Sequence, residues 1–120
     1  MKICKHVFFL LLMTSFCMQS GCEKGKKHIE IAGDLVRAEK LDEALVEYTK
    51  AIEADANHAD AYYGRGDIYL RQGKLEDAAI DFRKAIDINP SYIDAHRKLA
   101  ETFIKIGAPD DEFQKRFKAI

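Results

Sequence analysis

The sequence has little proline and no excess of positive charge, and both shortages exclude classes of protein. Two prolines and seven glycines among 120 residues are too few for a flexible linker or a low-complexity tail. Lysine and arginine total 19 against 20 acidic residues, which gives a net charge of −1. Because nucleic-acid binding needs an excess of cations to neutralise phosphates, this balance predicts no nucleic-acid partner.

Motifs for catalysis, phosphate binding and metal binding are also missing. There is no glycine-rich phosphate loop, no G-x-S-x-G and no pairing of a candidate base with a nucleophile. No two histidines have the spacing of zinc ligands. We therefore predict that the protein is not an enzyme and that it uses no cofactor or metal.

The N-terminus differs in composition from the rest of the chain. Lys2 and Lys5 are followed by an apolar run over residues 7–18, which is short for a membrane span but typical of a signal peptide. A pair of small residues, at positions 20 and 21, leads directly to Cys22. This order resembles the lipobox of bacterial lipoprotein signal peptides, although Gln19 stands where that family prefers leucine.

The resemblance implies cleavage before Cys22, a diacylglycerol on its thiol and an acyl chain on its amine. Residues 1–21 would then be the signal peptide and residues 22–25 a tether. The protein would be lipid-anchored in the bacterial cell envelope, in the outer membrane, on its periplasmic side or in the cell membrane. The alternatives are an uncleaved signal anchor and ordinary secretion with cleavage near Gly21.

The remainder of the chain repeats itself with a period of 34 residues. The second-helix positions align as Leu41 with Leu75, Ala44 with Ala78, Tyr48 with Phe82, Ala51 with Ala85 and Ile52 with Ile86. A third copy aligns Leu35, Tyr69 and Phe103, and also Ala32, Gly66 and Ala100. Gly73 and Gly107 align as helix C-terminal glycines, and Asn57–Asp60 and Ser91–Asp94 as capping boxes. No segment alternates with period two, so we expect no sheet.

These repeats resemble the tetratricopeptide repeat (TPR) family, most closely in the copy that carries Tyr62, Gly66, Tyr69, Ala78, Phe82 and Pro90. The resemblance implies an all-α fold, a short right-handed solenoid of antiparallel helix hairpins with about two and a half repeats and a C-terminal capping helix. The domain would span residues 26–120, with repeats at about 25–58, 59–92 and 93–120, the last incomplete. The expected helices are 26–38, 42–54, 59–72, 76–88, 93–106 and 110–118. Small residues such as Ala44 and Ala78 would lie where helices cross.

In this family the first helices of the hairpins line a concave groove that binds another protein. At the corresponding positions of this chain, the residues that we expect to contact a peptide or a partner helix are Ile29, Val36, Arg37, Tyr63, Asp67, Leu70, Arg71, Arg97, Glu101 and Ile104. One subclass of the family clamps the C-terminal carboxylate of chaperones, and its clamp positions here hold Ile29, Gly33, Gly64, Asp94 and Lys98. Only Lys98 has a suitable charge, so we predict no chaperone-tail binding.

The last copy departs from the pattern after Gly107. Phe113, Phe117 and Ile120 form a stripe that is one step out of register with the earlier repeats. We favour a terminal capping helix, since the last repeat of a solenoid is usually atypical. The alternative is a self-association surface, which would make the protein a homodimer or a structural subunit of an envelope, secretion or pilus complex.

Overall fold

The computed structural model describes residues 21–107, which form five α-helices and, within that range, no strand. Helix α1 is described over residues 21–37, and the others are α2 (Leu41–Ala54), α3 (Ala59–Arg71), α4 (Leu75–Ile88) and α5 (Ile93–Ile106). The predicted all-α fold is confirmed, and the bounds of α2 to α5 agree with prediction to within one residue. The sixth predicted helix, 110–118, lies outside the described residues.

Small side chains lie at the helix crossings, as predicted. Ala44 of α2 and Ala78 of α4 are both fully buried, and the aromatic residues one turn later, Tyr48 and Phe82, are buried with them. Ala32 is also buried at its crossing. Because a small side chain lets two helix axes approach while a large one fills the adjacent gap, this alternation holds the hairpins together.

Two glycines of α3 allow close contact on two sides of that helix. A Cβ on Gly64 would lie 2.2 Å from Cζ of Tyr48 in α2, and a Cβ on Gly66 would lie 3.0 Å from Cε1 of Phe82 in α4. Helix α3 therefore packs against both second helices through positions that only glycine can fill without a shift. The third member of the small-residue set, Ala100, is exposed, and its expected partner helix lies outside the described residues.

The turn within each hairpin uses a left-handed residue at the same repeat position. Gly73 and Gly107 have φ angles of 77° and 68°, which confirms their prediction as helix C-terminal glycines. In the first repeat the equivalent residue is Glu39, with φ 58°. A residue with a Cβ is strained in this conformation. Because the first repeat has no glycine here, the sequence pattern does not reveal its left-handed residue.

The two predicted capping boxes are wrong. Helices α3 and α5 have His58 and Tyr92 at their N-caps, and neither makes a side-chain capping bond. The side-chain oxygens of Asp55 and Asn89 instead accept hydrogen bonds from backbone N–H groups two residues later, at 3.0 Å and 3.2 Å. The polar residues before each helix thus stabilise the turn between repeats rather than the helix end.

Helix α1 already includes residues 22–25, for which we predicted a tether ahead of a helix starting at residue 26. Its glycines bring it close to the α2–α3 turn: a Cβ on Gly25 would lie 2.8 Å from the His58 ring, and one on Gly21 would lie 3.0 Å from the Ala54 carbonyl oxygen. These contacts come from residues more than thirty positions away, so local polarity could not indicate them. Over residues 21–107, no helix combines the length and the apolar character needed to cross a bilayer.

Candidate functional site

The first helices of the hairpins, α1, α3 and α5, lie side by side. We call the surface that they share the inner face. Helix α3 contacts α5 directly as well as α4, its partner in the hairpin. On the other side, Ala32 of α1 packs in one cluster with Ala61 and Ile68 of α3. The predicted contact residues all belong to these three helices and are therefore brought onto neighbouring elements.

A chain of ion pairs crosses the inner face from α3 to α5. Arg71 pairs with Asp67 at 3.1 Å, and Asp67 pairs with Lys98 at 3.4 Å. Lys98 also contacts Glu101 at 3.4 Å, and Glu101 contacts Lys105 at 3.3 Å. Burial alone would lower the pKa of Lys98, but the two carboxylates outweigh it and raise that pKa. We refer to these five residues as the charge chain.

Tyr63 is held in place by two other aromatic rings. Its ring centroid lies 5.8 Å from that of Phe82 and 5.0 Å from that of Tyr92. The Tyr92 hydroxyl donates a hydrogen bond to Asp60 at 2.9 Å, which ties α5 to the start of α3. Burial raises the pKa of Tyr63, with the nearby Asp67 carboxylate adding to the rise. A fixed and half-exposed aromatic side chain is a suitable anchor for a partner.

The apolar residues predicted for the groove differ in how much surface they offer. Ile104 is 80% exposed, whereas Leu70 is only 6% exposed and packs in the core with Ala78 and Phe82. Leu70 is therefore a core residue and has almost no surface for a partner, which corrects its assignment. Ile29 and Val36 are half-buried, and both pack against the cluster that contains Ala44 and Tyr48.

The remaining predicted residues are exposed cations paired within their own helices. Arg37 pairs with Asp34 near the end of α1, and Arg97 pairs with Asp94 at 2.6 Å near the start of α5. Lys105 was not among the predicted contact residues, yet it belongs to the charge chain. The 34-residue register could have found Lys105, because it is equivalent to Arg37 and Arg71.

One cluster of possible metal ligands lies away from the inner face. The ligand atoms of Cys22, Asp55 and His58 are all within 4.8 Å of one another. His58 Nε2 donates to the Cys22 carbonyl oxygen at 3.3 Å and lies 3.4 Å from Asp55 Oδ2. Three such ligands could hold Zn²⁺ only if Cys22 were a free thiolate. The cluster could not be predicted from the sequence, because Cys22 lies more than thirty residues before Asp55 and His58.

The C-terminal stripe of Phe113, Phe117 and Ile120 lies outside the described residues. Capping and self-association therefore both stay predictions for it. The lipid on Cys22 is likewise a prediction, and the structure places that residue half-buried in the first described turn of α1.

Comparison with known proteins gives one family and several similar folds. A family model described as tetratricopeptide repeat matches residues 29–93. The solved structure of YrrB, described as a TPR protein with an unusual peptide-binding site, is 29% identical, with a TM-score of 0.65 over 75% of this chain and 48% of that one. MamA protein is 25% identical, with a TM-score of 0.70 over 79% of this chain and 51% of that one.

A third similar structure is the second TPR of Spaghetti (RPAP3) bound to the HSP90 peptide SRMEEVD. It is 24% identical, with a TM-score of 0.72 over 75% of this chain and 82% of that one. At this identity the likeness concerns the fold alone. No curated protein sequence matches the chain significantly.

Proposed function

Because the chain belongs to the tetratricopeptide repeat family, we propose that it is an adaptor that binds a peptide or a helix of a partner protein on its inner face. The observation that carries this proposal is the exposed Ile104 beside the charge chain, with the fixed ring of Tyr63 on the neighbouring helix. An apolar surface edged by both signs of charge suits a protein segment. Neither the family match nor the similar structures indicate a catalytic family.

One similar protein supports a peptide as the partner. YrrB, which is 29% identical, is described as a TPR protein with an unusual peptide-binding site. The present chain lacks the clamp residues of the subclass that binds a chaperone tail. At two clamp positions, Gly64 is buried against Tyr48, and Lys98 is already paired with Asp67 and Glu101. The proposed partner is therefore a different segment.

The proposal extends to a lipid anchor on Cys22 and a location in the bacterial cell envelope. Its support is the order of a basic start, an apolar run and two small residues before the cysteine. Acylation would consume the thiol, so a lipid and a metal ion on Cys22, Asp55 and His58 exclude each other. An adaptor held at a membrane would keep its partner close to that surface.

Cross-linking capture in the native host tests the adaptor function. We expect Tyr63→Ala and Ile104→Asp to lose the cross-linked partner that the unmodified protein retains. The matched control is Ile80→Asp, because Ile80 is an exposed isoleucine of α4, outside the inner face. A partner retained by both inner-face variants would contradict the proposal. Leu70→Ala is unsuitable as a probe, since it would damage the core.

Mass spectrometry of the protein extracted in detergent tests the anchor. We expect the mature chain to begin at Cys22 and to carry the mass of a diacylglycerol and an acyl chain, and Cys22→Ala to remain unprocessed. An unmodified Cys22 thiol would refute the lipid. This result would leave the adaptor function untouched, because the inner face does not include Cys22.

A further inference from the structure

Three cations occur at one position of the repeat, in the last turn of the three inner helices. These are Arg37, Arg71 and Lys105, each 34 residues from the next, and we call them the basic row. Their side chains are 77%, 52% and 51% exposed. Because equivalent positions of neighbouring repeats lie at the same end of parallel helices, the basic row follows one rim of the inner face.

The internal partners of the basic row hold these cations only weakly. Each cation pairs with a carboxylate one turn earlier in its own helix: Arg37 with Asp34, Arg71 with Asp67 and Lys105 with Glu101. Because each of the three cations is at least half exposed, water screens its charge, and ion pairs of such side chains contribute little to stability. Turning such a cation towards the carboxylate of a partner would therefore cost the fold little.

The charge chain also has more positive than negative members. Asp67 and Glu101 are shared with Lys98, so two carboxylates face the three cations Arg71, Lys98 and Lys105. The two ends of the charge chain are cations of the basic row. Arg71, at one end, pairs with a single carboxylate among the described residues, that of Asp67. At the other end, the exposed Ile104 offers an apolar surface next to Lys105.

We infer that the inner face binds an acidic segment of its partner, with carboxylate side chains paired to Arg71 and Lys105 and an apolar side chain on Ile104. This inference rests on the proposed adaptor function and names the chemistry of the partner. The segment is recognised through side-chain carboxylates, because the positions that would clamp a chain-terminal carboxylate hold no suitable set of donors. A basic segment would meet the unbalanced cations and be repelled.

A peptide array provides the test, with the full chain purified in detergent as the probe. The array pairs peptides that mix glutamate or aspartate with leucine and phenylalanine against the same peptides with glutamine or asparagine. We expect the strongest binders to be acidic. Their affinity should fall about tenfold when glutamine or asparagine replaces the acidic residues, and it should also fall as the salt concentration is raised. Amidating the peptide C-terminus should leave binding unchanged.

Arg71→Glu is a sharper test than a change at Lys105. Lys105 shares a surface depression with Glu76 and Asp77, so a change there would also affect those two residues. We expect this variant to lose about tenfold in affinity for the acidic binders. Lys84→Glu is the matched control, since it makes the same charge change at an exposed lysine of α4 and should stay within about twofold. Circular dichroism verifies the fold, and Arg71→Gln gives a milder second variant.

Three results would overturn the inference: neutral peptides that bind as well as acidic ones, an unchanged affinity of Arg71→Glu, or a loss on C-terminal amidation. The cross-linked partner from the native host separates this inference from the adaptor function. If the Tyr63→Ala variant lost the partner but the acidic peptides did not displace it, only the acidic chemistry of the bound segment would be refuted. If neither a partner nor a peptide bound, the adaptor function would be refuted as well.

Discussion

The guanidinium of Arg65 binds the carboxylate of Asp81 through two hydrogen bonds that join α3 to α4. Arg65 Nε donates to Asp81 Oδ2 at 2.8 Å, and the terminal Nη2 donates to Oδ1 at 2.9 Å. The guanidinium also lies over the ring of Tyr62 at 5.8 Å and that of Tyr69 at 6.0 Å. The tetratricopeptide signature has leucine directly before the glycine that aligns with Gly66, so at position 65 a charged pair replaces an apolar contact.

The first prediction concerns the energy of this pair. Asp81 is 4% exposed, and burial raises its pKa although the Arg65 hydrogen bonds oppose the rise. Asp81→Leu or Arg65→Leu alone should cost about 3 kcal/mol, because each leaves a poorly solvated charge without its partner. Arg65→Leu with Asp81→Leu should cost less than either single change, since desolvation of both charges is removed.

Unfolding in denaturant of the four members of this double-mutant cycle measures the coupling. The expected coupling is about 3 kcal/mol or more in favour of the paired state. If the losses of the single changes simply added in the double variant, the pair would not act as a unit and the explanation would be wrong.

The second prediction compares two glycines in helices of the inner face. Gly64→Ala should destabilise the domain by about 1–2 kcal/mol, because the new Cβ would overlap the buried ring of Tyr48. Gly33→Ala should stabilise it by about 0.5–1 kcal/mol, since a Cβ there meets nothing within 4 Å and alanine favours the helix. Thermal and denaturant unfolding check both signs, and equal effects would contradict the packing account.

The fold could be predicted from sequence because its main determinant is local and periodic. Small residues such as Ala44 and Ala78 recur every 34 residues, and a spacing of four places each on the same helical side as an aromatic residue. The alignment of the 34-residue repeats is therefore enough to identify the hairpins, the points where their helices cross and the helices that form the inner face.

The side-chain pairs between helices could not be predicted in the same way. Whether Asp67 reaches Lys98, or Arg65 reaches Asp81, depends on the distance and angle between two helices, which the 34-residue register does not determine. The burial of Leu70 could not be predicted for the same reason. The register does not determine whether an apolar residue at a groove position points to a partner or to the core. The close approach of Gly25 to the His58 ring likewise joins positions that are distant in the chain.

The third prediction concerns the strained turn residue of the first repeat. Glu39→Gly should stabilise the domain by about 1 kcal/mol, because glycine adopts the left-handed conformation without the clash of a Cβ. The reverse change at the equivalent residue of the second repeat, Gly73→Ala, should destabilise it by a similar amount. Denaturant unfolding of both variants measures the effects. A destabilising Glu39→Gly would mean that the glutamate side chain matters more than its backbone conformation.

The last prediction concerns acid stability and the Glu47 carboxylate. Lys50 lies 2.7 Å from Glu47 Oε1, and His28 Nδ1 lies 2.6 Å from Oε2, which links α1 to α2. These hydrogen bonds, that of Lys50 most strongly, hold the pKa of Glu47 below its ordinary value of 4.5. A depressed pKa means that the folded state favours the ionised carboxylate, so the stabilisation is present above pH 4.5 and is lost as the pH falls through the lower folded value.

Glu47→Gln tests this link, because glutamine keeps the shape of the side chain but does not ionise. The variant should be less stable than the unmodified protein at neutral pH, and the difference should shrink as the pH falls below 4.5. Asp42→Asn is the matched control, since Asp42 is an exposed carboxylate of the same helix that accepts a hydrogen bond from Gln72 and has no cationic partner among the pairs of the described residues. Denaturant unfolding across the pH range measures both differences. A constant difference for Glu47→Gln down to strongly acidic pH would show that its effect comes from packing and not from charge.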